Sequence, residues 1–437
     1  MGYDFAAAVA DLVDNSIEAH ASLVAIDVEF DGDDSWVRIA DNGVGMTASQ
    51  VREALRYGAE REYEEEDLGK FGLGLKTASL SQCQRLTLAS RVNPGRADIA
   101  AFCWDLDHID KTNRWEILPV VRTGLGPAIR EPLRDTTGTV VLWQRLDRIL
   151  GYRHPYGEMA RKRLSGMCRE VESHLAMVFH RFLSGEIPGR KLKILLNGNQ
   201  VVPWDPFARS ESKTRILTSV KLRVEHEGAS GDVKVEPFIL PHQQEFSSQE
   251  AFKLATGPLN WNQQQGFYVY RAGRLIQSGG WSRLRTADEH TKLARVALSF
   301  MPALDDAFKI NVAKMRVQLP LQIKDQIEDA IKPVIKIAQE RYRKKTPVTS
   351  VAAKPSEISG GPTHETDTVI STNTTEPTKS LTLGQPAAKL PATATRLWTL
   401  DQLQQKLDDS AKPDEKPVIS TVFDRLRAKM KTEGENQ

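Results

Sequence analysis

Between Ala10 and Ala19 the chain reads Ala-Asp-Leu-Val-Asp-Asn-Ser-Ile-Glu-Ala. The apolar residues Phe5, Val9, Leu12, Val13 and Ile17 recur at helical spacing, which predicts a helix with one face committed to a core. Asp11 and Asn15, four apart, then lie one above the other along that helix, and Glu18 continues the row. Any fold for this chain must cover the apolar stripe while keeping a carboxylate and an amide in line. Taken alone, the stretch also describes the solvated polar face of an ordinary amphipathic helix. The residues that follow bear on the choice.

Residues 23–30 alternate as a strand, Asp31-Gly32-Asp33-Asp34 turns it, and residues 36–40 return as a second strand. Asp41-Asn42-Gly43-Val44-Gly45-Met46 comes next. Asp-Asn-Gly between two strands is ordinarily a hairpin turn. Here Thr47-Ala48-Ser49-Gln50 has the Thr-x-x-Gln form of a capping box and opens a helix to about Tyr57, so the loop joins a strand to a helix. Gly43 and Gly45 let backbone approach a flat ligand, and a carboxylate at Asp41 can accept a hydrogen bond from an adenine amino group. Residues 43–48 also fit the relaxed dinucleotide fingerprint G-x-G-x-x-A. That pattern explains neither the Asp-Asn helix before it nor the glycine cluster after it.

The acidic run over residues 60–67 reads as a solvated loop. Gly69-Lys70-Phe71-Gly72-Leu73-Gly74-Leu75-Lys76-Thr77-Ala78 then leads into a helix to about Gln82. Glycines just before a helix expose N–H groups at the positive end of its dipole, which suits phosphate; a flexible glycine loop is the plainer alternative. The P-loop pattern G-x-x-x-x-G-K-[ST] does not occur. Further strands are expected over 85–91, 99–104, 115–121 and 139–144, with Gly138-Thr139 placing a hydroxyl at the start of the last. A carboxylate and an amide oxygen one helical turn apart suit hydrolysis of a magnesium nucleotide. The first takes a proton from attacking water, and the second is a hard ligand for an ion bound mainly by phosphates and water.

Taken together, these stretches resemble the ATPase family that groups the DNA gyrase B subunit, the ninety-kilodalton heat-shock chaperones, sensor histidine kinases and MutL. Residues 11–19 match its Asn box, Asp41-Asn42-Gly43-Val44-Gly45 its D-x-G-x-G box, Gly69, Gly72 and Gly74 its G-x-x-G-x-G lid, and Gly138-Thr139 its late Gly-Thr. Within the family, Ala-Asp-Leu-Val-Asp-Asn-Ser and Phe-Gly-Leu-Gly-Leu-Lys-Thr-Ala most resemble the MORC proteins and their prokaryotic relatives. The resemblance implies ATP and Mg2+ as cofactors, with ATP bent between a sheet and the lid. By the same resemblance Asn15 binds magnesium, Asp41 the adenine amine, and Gly43, Gly45 and Met46 line the base with support from Thr139. Gly69, Gly72, Gly74 and Lys76 would cradle the phosphates. The family's general base is usually glutamate, and Asp11 is one methylene shorter, so slow turnover is expected.

Residues 159–183 are apolar at helical spacing and are expected to form a long helix closing the first domain. Residues 191–196 followed by Asn197-Gly198-Asn199 are expected to start a β-rich second domain, in which residues 266–276 look like the strand of a transducer domain. In transducer-bearing relatives a lysine reaches the terminal phosphate, and Lys314, ahead of a helix over 321–343, is the candidate counterpart here, an ordinary surface lysine being the equal alternative. Arg271, Arg274, Arg283 and Arg285 form a basic group that fits either a DNA-facing surface or plain solvated arginines. Residues 346–395, rich in Thr, Ser, Pro and Ala, cannot sustain a core and are expected to be a disordered linker. Two short amphipathic segments follow over 396–437, suited to a partner or a second copy or to a frayed tail.

The expected architecture is therefore α+β. A two-layer α/β sandwich (the Bergerat ATP-binding fold) occupies 1–188, and a transducer-type, ribosomal-protein-like α/β domain occupies 189–345. A formal net charge of +2 argues against wholesale nucleic-acid binding. Cys83, Cys103 and Cys168 lack metal-ligand spacing and read as reduced thiols, and no apolar run is long enough to cross a bilayer. A cytoplasmic protein without a membrane partner is expected. The function expected is an ATPase that closes as an ATP-dependent homodimer on a DNA or protein client, the alternative being a non-catalytic ATP-binding adaptor. A histidine kinase would need a helical hairpin ahead of Asp11, where the sequence has only a short lead. That lead is also short for the N-terminal strap of dimeric relatives, so either dimerisation differs or the start is internal.

Overall fold

The computed structural model describes residues 4–56, 74–95, 98–151, 154, 156–310, 317–343, 404–405 and 420. The chain divides into two units, Met1–Ala352 and Ala353–Gln437. The second is described only at 404–405 and 420, all in helical conformation. Gly69, Gly72, Lys314, the expected linker and most of the C-terminal amphipathic segments lie outside the described residues. Among the described residues, no helix is long and apolar enough to cross a membrane.

The first unit opens with α1 (Phe5–Glu18), β1 (Leu23–Glu29), β2 (Trp36–Asp41), α2 (Ala48–Leu55), α3 (Gly74–Leu80), β3 (Arg85–Arg91) and β4 (Ala100–Asp105). It continues with α4 (Leu106–Thr112), β5 (Leu118–Pro119), α5 (Pro127–Arg130), β6 (Gly138–Gln144), α6 (Asp147–Leu150), α7 (Glu158–Val178), α8 (His180–Leu183), β7 (Lys193–Leu196) and β8 (Asn199–Gln200). These strands form one sheet in the order β5-β4-β3-β6-β2-β1-β7-β8. Alternation along the strands sorts their side chains to two faces. Val37, Ile39, Leu86, Leu88, Val141 and Trp143 join a core with Val9, Leu12, Val13 and Ile17 of α1 and Leu164, Val171 and Leu175 of α7. The intervening Ala40, Ala89, Val140 and Leu142 pack on the reverse face beneath Leu125, Ile129 and Leu133. The result is an α/β sandwich with a thin cover on the second face.

Local chemistry explains the helix limits. Asp4 caps α1, its carboxylate accepting from the Ala7 N–H at 2.7 Å. Thr47 and Gln50 form the expected capping box, and α2 ends at Leu55. The helix expected over 159–183 breaks at Phe179 into α7 and the short α8. Of the strand expected over 115–121 only β5 is formed, at a sheet edge, where Pro119 can be tolerated without an N–H.

Residues 193–196 do not begin the second sheet. As β7 they pair in parallel with β1, and Leu192, Ile194 and Leu196 are buried in the first core. The second sheet has β9 (Arg215–Ile216), β10 (Val220–His226), β11 (Ala229–Ile239), β12 (Gly266–Arg271), β13 (Arg274–Ser278) and β14 (Ala294–Phe300), in the order β10-β11-β14-β12-β13 with β9 on β11. The helices α9 (Gln249–Thr256), α10 (Trp261–Gln264) and α11 (Leu321–Arg343) accompany it, α11 burying Ile323, Ile327, Ile331 and Val334 in its core.

Residues 266–276, expected as one strand, are a hairpin. Ala272 and Gly273 both adopt positive φ, 46° and 86°, which turns the chain in two residues with the twist the flanking strands need. Arg295 on β14 is fully buried; it donates to Pro206 O at 2.5 Å and Ala255 O at 2.7 Å, and the rings of Trp204, Trp261 and Tyr268 surround it at 5.3–5.8 Å.

The covering helix α7 is a direct test of the sandwich. Leu175→Ala removes a fully buried side chain between sheet and helix and is expected to cost about 2–5 kcal/mol in urea unfolding. Met159→Ala, on the same helix but 74% exposed, should stay within about 0.5 kcal/mol of wild type.

Candidate functional site

Strand register assembles the centre of the site. Asp41 at the end of β2 is opposite Thr139 at the start of β6, and Thr139 is opposite Ser90 near the end of β3. Three polar residues from distant parts of the sequence thus form one row across three strands. The Asp41 carboxylate accepts the Gly43 N–H at 2.9 Å and the Thr139 N–H at 3.3 Å on Oδ1, and the Ser16 hydroxyl of α1 at 3.1 Å on Oδ2. Ser90 Oγ accepts the Met46 N–H at 2.8 Å, donates to Gly138 O at 2.8 Å and meets Thr139 Oγ1 at 3.0 Å. With the Ser90 proton on Gly138 O, Thr139 donates to Ser90 and keeps acceptor lone pairs for a ligand.

Asp41 is half-buried, and desolvation pushes its carboxyl up from 3.8 to about 6, opposed by the hydrogen bonds from Gly43, Ser16 and Thr139. At neutral pH it is still mainly ionised, but poorly solvated. A ligand amino group would restore what burial removed.

The glycines are placed where nothing larger fits. Gly45 has φ +73°, and a Cβ there would lie 2.1 Å from Arg91 O; a Cβ on Gly43 would lie 2.6 Å from Ala19 O. Gly138, at φ +143°, would put a Cβ 1.9 Å from Asp41 O. Asn42 secures the loop from below, its Oδ1 accepting the N–H groups of Ser22 and Leu23, both at 2.9 Å. The loop backbone is therefore pressed against neighbouring strands, while Val44 at its crest is 60% exposed.

Helix α1 supplies the second half of the site. Asp11 is buried and Asn15 exposed, so the expected row runs from the interior out to solvent. Gly74 opens α3 beside Asp11, with Asp11 Oδ2 at 3.6 Å from where its Cβ would be. Asp14, fully buried, accepts Arg274 Nε at 2.8 Å, and Arg274 Nη2 stands 3.9 Å from Asp11 Oδ1. The Asn15 amide oxygen with solvent around it suits a cation that takes its remaining ligands from phosphates and water.

Lys76, expected among the phosphate ligands, is buried with its ammonium donating to Ala54 O at 3.1 Å and Arg56 O at 2.7 Å. These carbonyls sit at the C-terminal end of α2, where unpaired carbonyls and the helix dipole both attract a cation. The basic group over 271–285 is no DNA-facing surface as a whole. Arg271 is buried on Asp305 at 2.7 and 2.8 Å, Arg274 is buried on Asp14, and Arg285 pairs with Asp288 at 2.7 Å. Burial of the hairpin, with its charges matched by carboxylates, outweighs solvation of the arginines.

Sequence reasoning missed Ser16 and Ser90 as members of the site. Ser16 directly follows Asn15 in the motif, a signal open to reading; Ser90 depends on strand register, which no local pattern reveals.

Because the folded state holds the Asp41 proton more tightly than the unfolded chain, stability should fall as pH rises from about 4 to about 6 and then level off. Asp41→Asn should remove that slope in unfolding titrations. Gly45→Ala is expected to lower the melting temperature and distort the loop, since its φ and the Arg91 carbonyl both exclude a methyl group.

Residues 3–139 match the model of the family described as histidine kinase-, DNA gyrase B-, and HSP90-like ATPase. Two curated relatives are similar over shorter stretches. One is the DNA mismatch repair protein MutL of Pasteurella multocida (strain Pm70), 37% identical over 91 residues, which are 20% of this chain and 15% of that protein. The other is the DNA mismatch repair protein MutL of Pseudoalteromonas translucida (strain TAC 125), 35% identical over 107 residues, 23% of this chain and 17% of that protein. The similarity thus spans less than a fifth of either relative's length. The matched range begins just before α1 and ends at Thr139, so it contains the row around Asp41, and it supports placing this N-terminal segment in the superfamily of histidine kinase-, gyrase B- and HSP90-like ATPases.

Proposed function

We propose that the chain is a magnesium-dependent ATPase of the MORC-like kind, working as a nucleotide-driven conformational switch. The observation that carries this reading is the half-buried Asp41 carboxylate, held by three donors beside glycines that admit no side chain, with Asp11 and Asn15 on the adjoining helix. That arrangement pairs a recognition point for an amino-substituted flat base with a carboxylate and an amide set for phosphate chemistry.

In this reading Asp41 accepts a hydrogen bond from the adenine amino group, Gly43, Gly45 and Met46 bring backbone and side chain against the base, and Thr139 supports it. Gly69, Gly72 and Gly74 turn backbone N–H groups to the phosphates. Asn15 is the protein ligand for magnesium, which when bound neutralises phosphate charge. Asp11 orients water and takes its proton. Lys314 reports the terminal phosphate from the second, transducer-like domain, and two copies close together in the ATP state. The relatives named as DNA mismatch repair proteins favour a DNA-related client.

The second reading, a non-catalytic ATP-binding adaptor, is favoured by one observation. Asp11 is a buried carboxylate one methylene shorter than glutamate, which shortens its reach toward an attacking water.

Phosphate release from magnesium ATP and binding of a non-hydrolysable analogue separate the two. Asp11→Asn is expected to bind within about threefold of wild type and to lose about 10²–10⁴-fold in turnover. Asn15→Ala should bind nucleotide with a weakened dependence on magnesium. Sedimentation should show a dimer only with the analogue. Binding without turnover in wild type would replace the ATPase reading with the adaptor, and absence of binding would remove both.

A further inference from the structure

We infer that Arg274 is a positioning residue for the Asp11 carboxylate, delivered to the underside of α1 by the β12–β13 hairpin of the second sheet. The inference rests on the reading of Asp11 as the base. It adds a residue that lies outside every motif of the nucleotide site and outside the matched range of residues 3–139.

The geometry comes from both sides. Asp11 and Asp14 are three residues apart on α1 and both are buried, with 4% and 0% of their surface exposed. Arg274, 4% exposed, bonds Asp14 Oδ1 through Nε at 2.8 Å and turns Nη2 toward Asp11 Oδ1 at 3.9 Å. The other Asp11 oxygen faces the start of α3 at Gly74. One oxygen of the candidate base thus lies in a charge contact with the arginine, while the second faces the start of α3. The guanidinium itself is steadied by the Phe179 ring, 5.8 Å away.

The hairpin tip is held from both sides: a Cβ on Gly273 would lie 2.6 Å from Ile187 Cδ1, which packs on the first core, and the Ala272 N–H donates to Phe300 O of β14 at 2.9 Å. A shift of the second sheet against α1 would therefore move the guanidinium, and the orientation of Asp11 with it. In the hydrolytic step a water oxygen bonds the terminal phosphorus, and the bond from that phosphorus to the bridging oxygen breaks with its electron pair leaving on ADP. Asp11 takes a proton of the water, and a carboxylate rotated by the loss of Arg274 would take it less well.

The test compares Arg274→Gln, Arg274→Lys and the paired Asp14→Asn/Arg274→Gln in single-turnover ATP cleavage, in binding of a non-hydrolysable ATP analogue and in urea unfolding. Arg274→Gln strands a buried carboxylate and is expected to unfold more readily, whereas the paired variant leaves no buried charge at 14 or 274 and should recover stability. The paired variant is expected to bind the analogue within about threefold of wild type and to cleave ATP at least about tenfold more slowly; Arg274→Lys should recover much of the rate. A paired variant that cleaves like wild type, or one whose affinity and rate fall by the same factor, overturns the role of Arg274. A wild-type protein that cleaves no ATP overturns the reading of Asp11 as a base, and the arginine's role with it.

Discussion

The desolvation of two carboxylates on one helix is the constraint around which the first unit is arranged. Helix α1 lies between the sheet, α3 and α7, and burial takes in Asp11 and Asp14 together with its apolar stripe. A carboxylate out of water needs a partner close at hand. For Asp14 that partner is Arg274, more than two hundred residues downstream, so α1 is completed only once the second sheet has docked. The seating of Gly273 on Ile187, the buried pair of Arg271 with Asp305, and the pairing of β12 with β14 keep that arginine in register.

The second organising feature is the antiparallel register of β2, β6 and β3. It aligns Asp41, Thr139 and Ser90, and the loop from Gly43 to Met46 is then drawn onto the strand ends by its own N–H groups. Three donors hold the carboxylate without returning it to water, which is why its pKa stays high despite them. Held this way, the Asp41 carboxylate stays costly to ionise, and one more donor would lower that cost.

Much of this was legible locally. Helical spacing of Phe5, Val9, Leu12, Val13 and Ile17 revealed α1 and the row from Asp11 to Asn15, because one face of an isolated helix has its neighbours within four residues. The Thr47–Gln50 capping box and the loop before it were readable for the same reason. The Lys76 contacts with the end of α2 were not legible, because a lysine beside glycines looks alike whether it meets a phosphate or a helix end. The arginines at 271 and 274 misled because nothing local shows that a basic hairpin will be buried on carboxylates from other elements.

The sequence by itself determined the helix carrying Asp11, Asp14 and Asn15, the strand-to-helix loop with its two glycines, and the order in which these occur. All of them depend on contacts between residues close in the chain. Only the tertiary structure decided that β7 would complete the first sheet, that residues 266–276 would fold back at Ala272-Gly273, that Ser16 would bond Asp41 while Ser90 bonds Gly138 and Met46 beside it, and that Arg274 would reach Asp14. Each of these follows from strand register or from matching buried charge across the chain, and such terms acquire a value only when distant segments share one core.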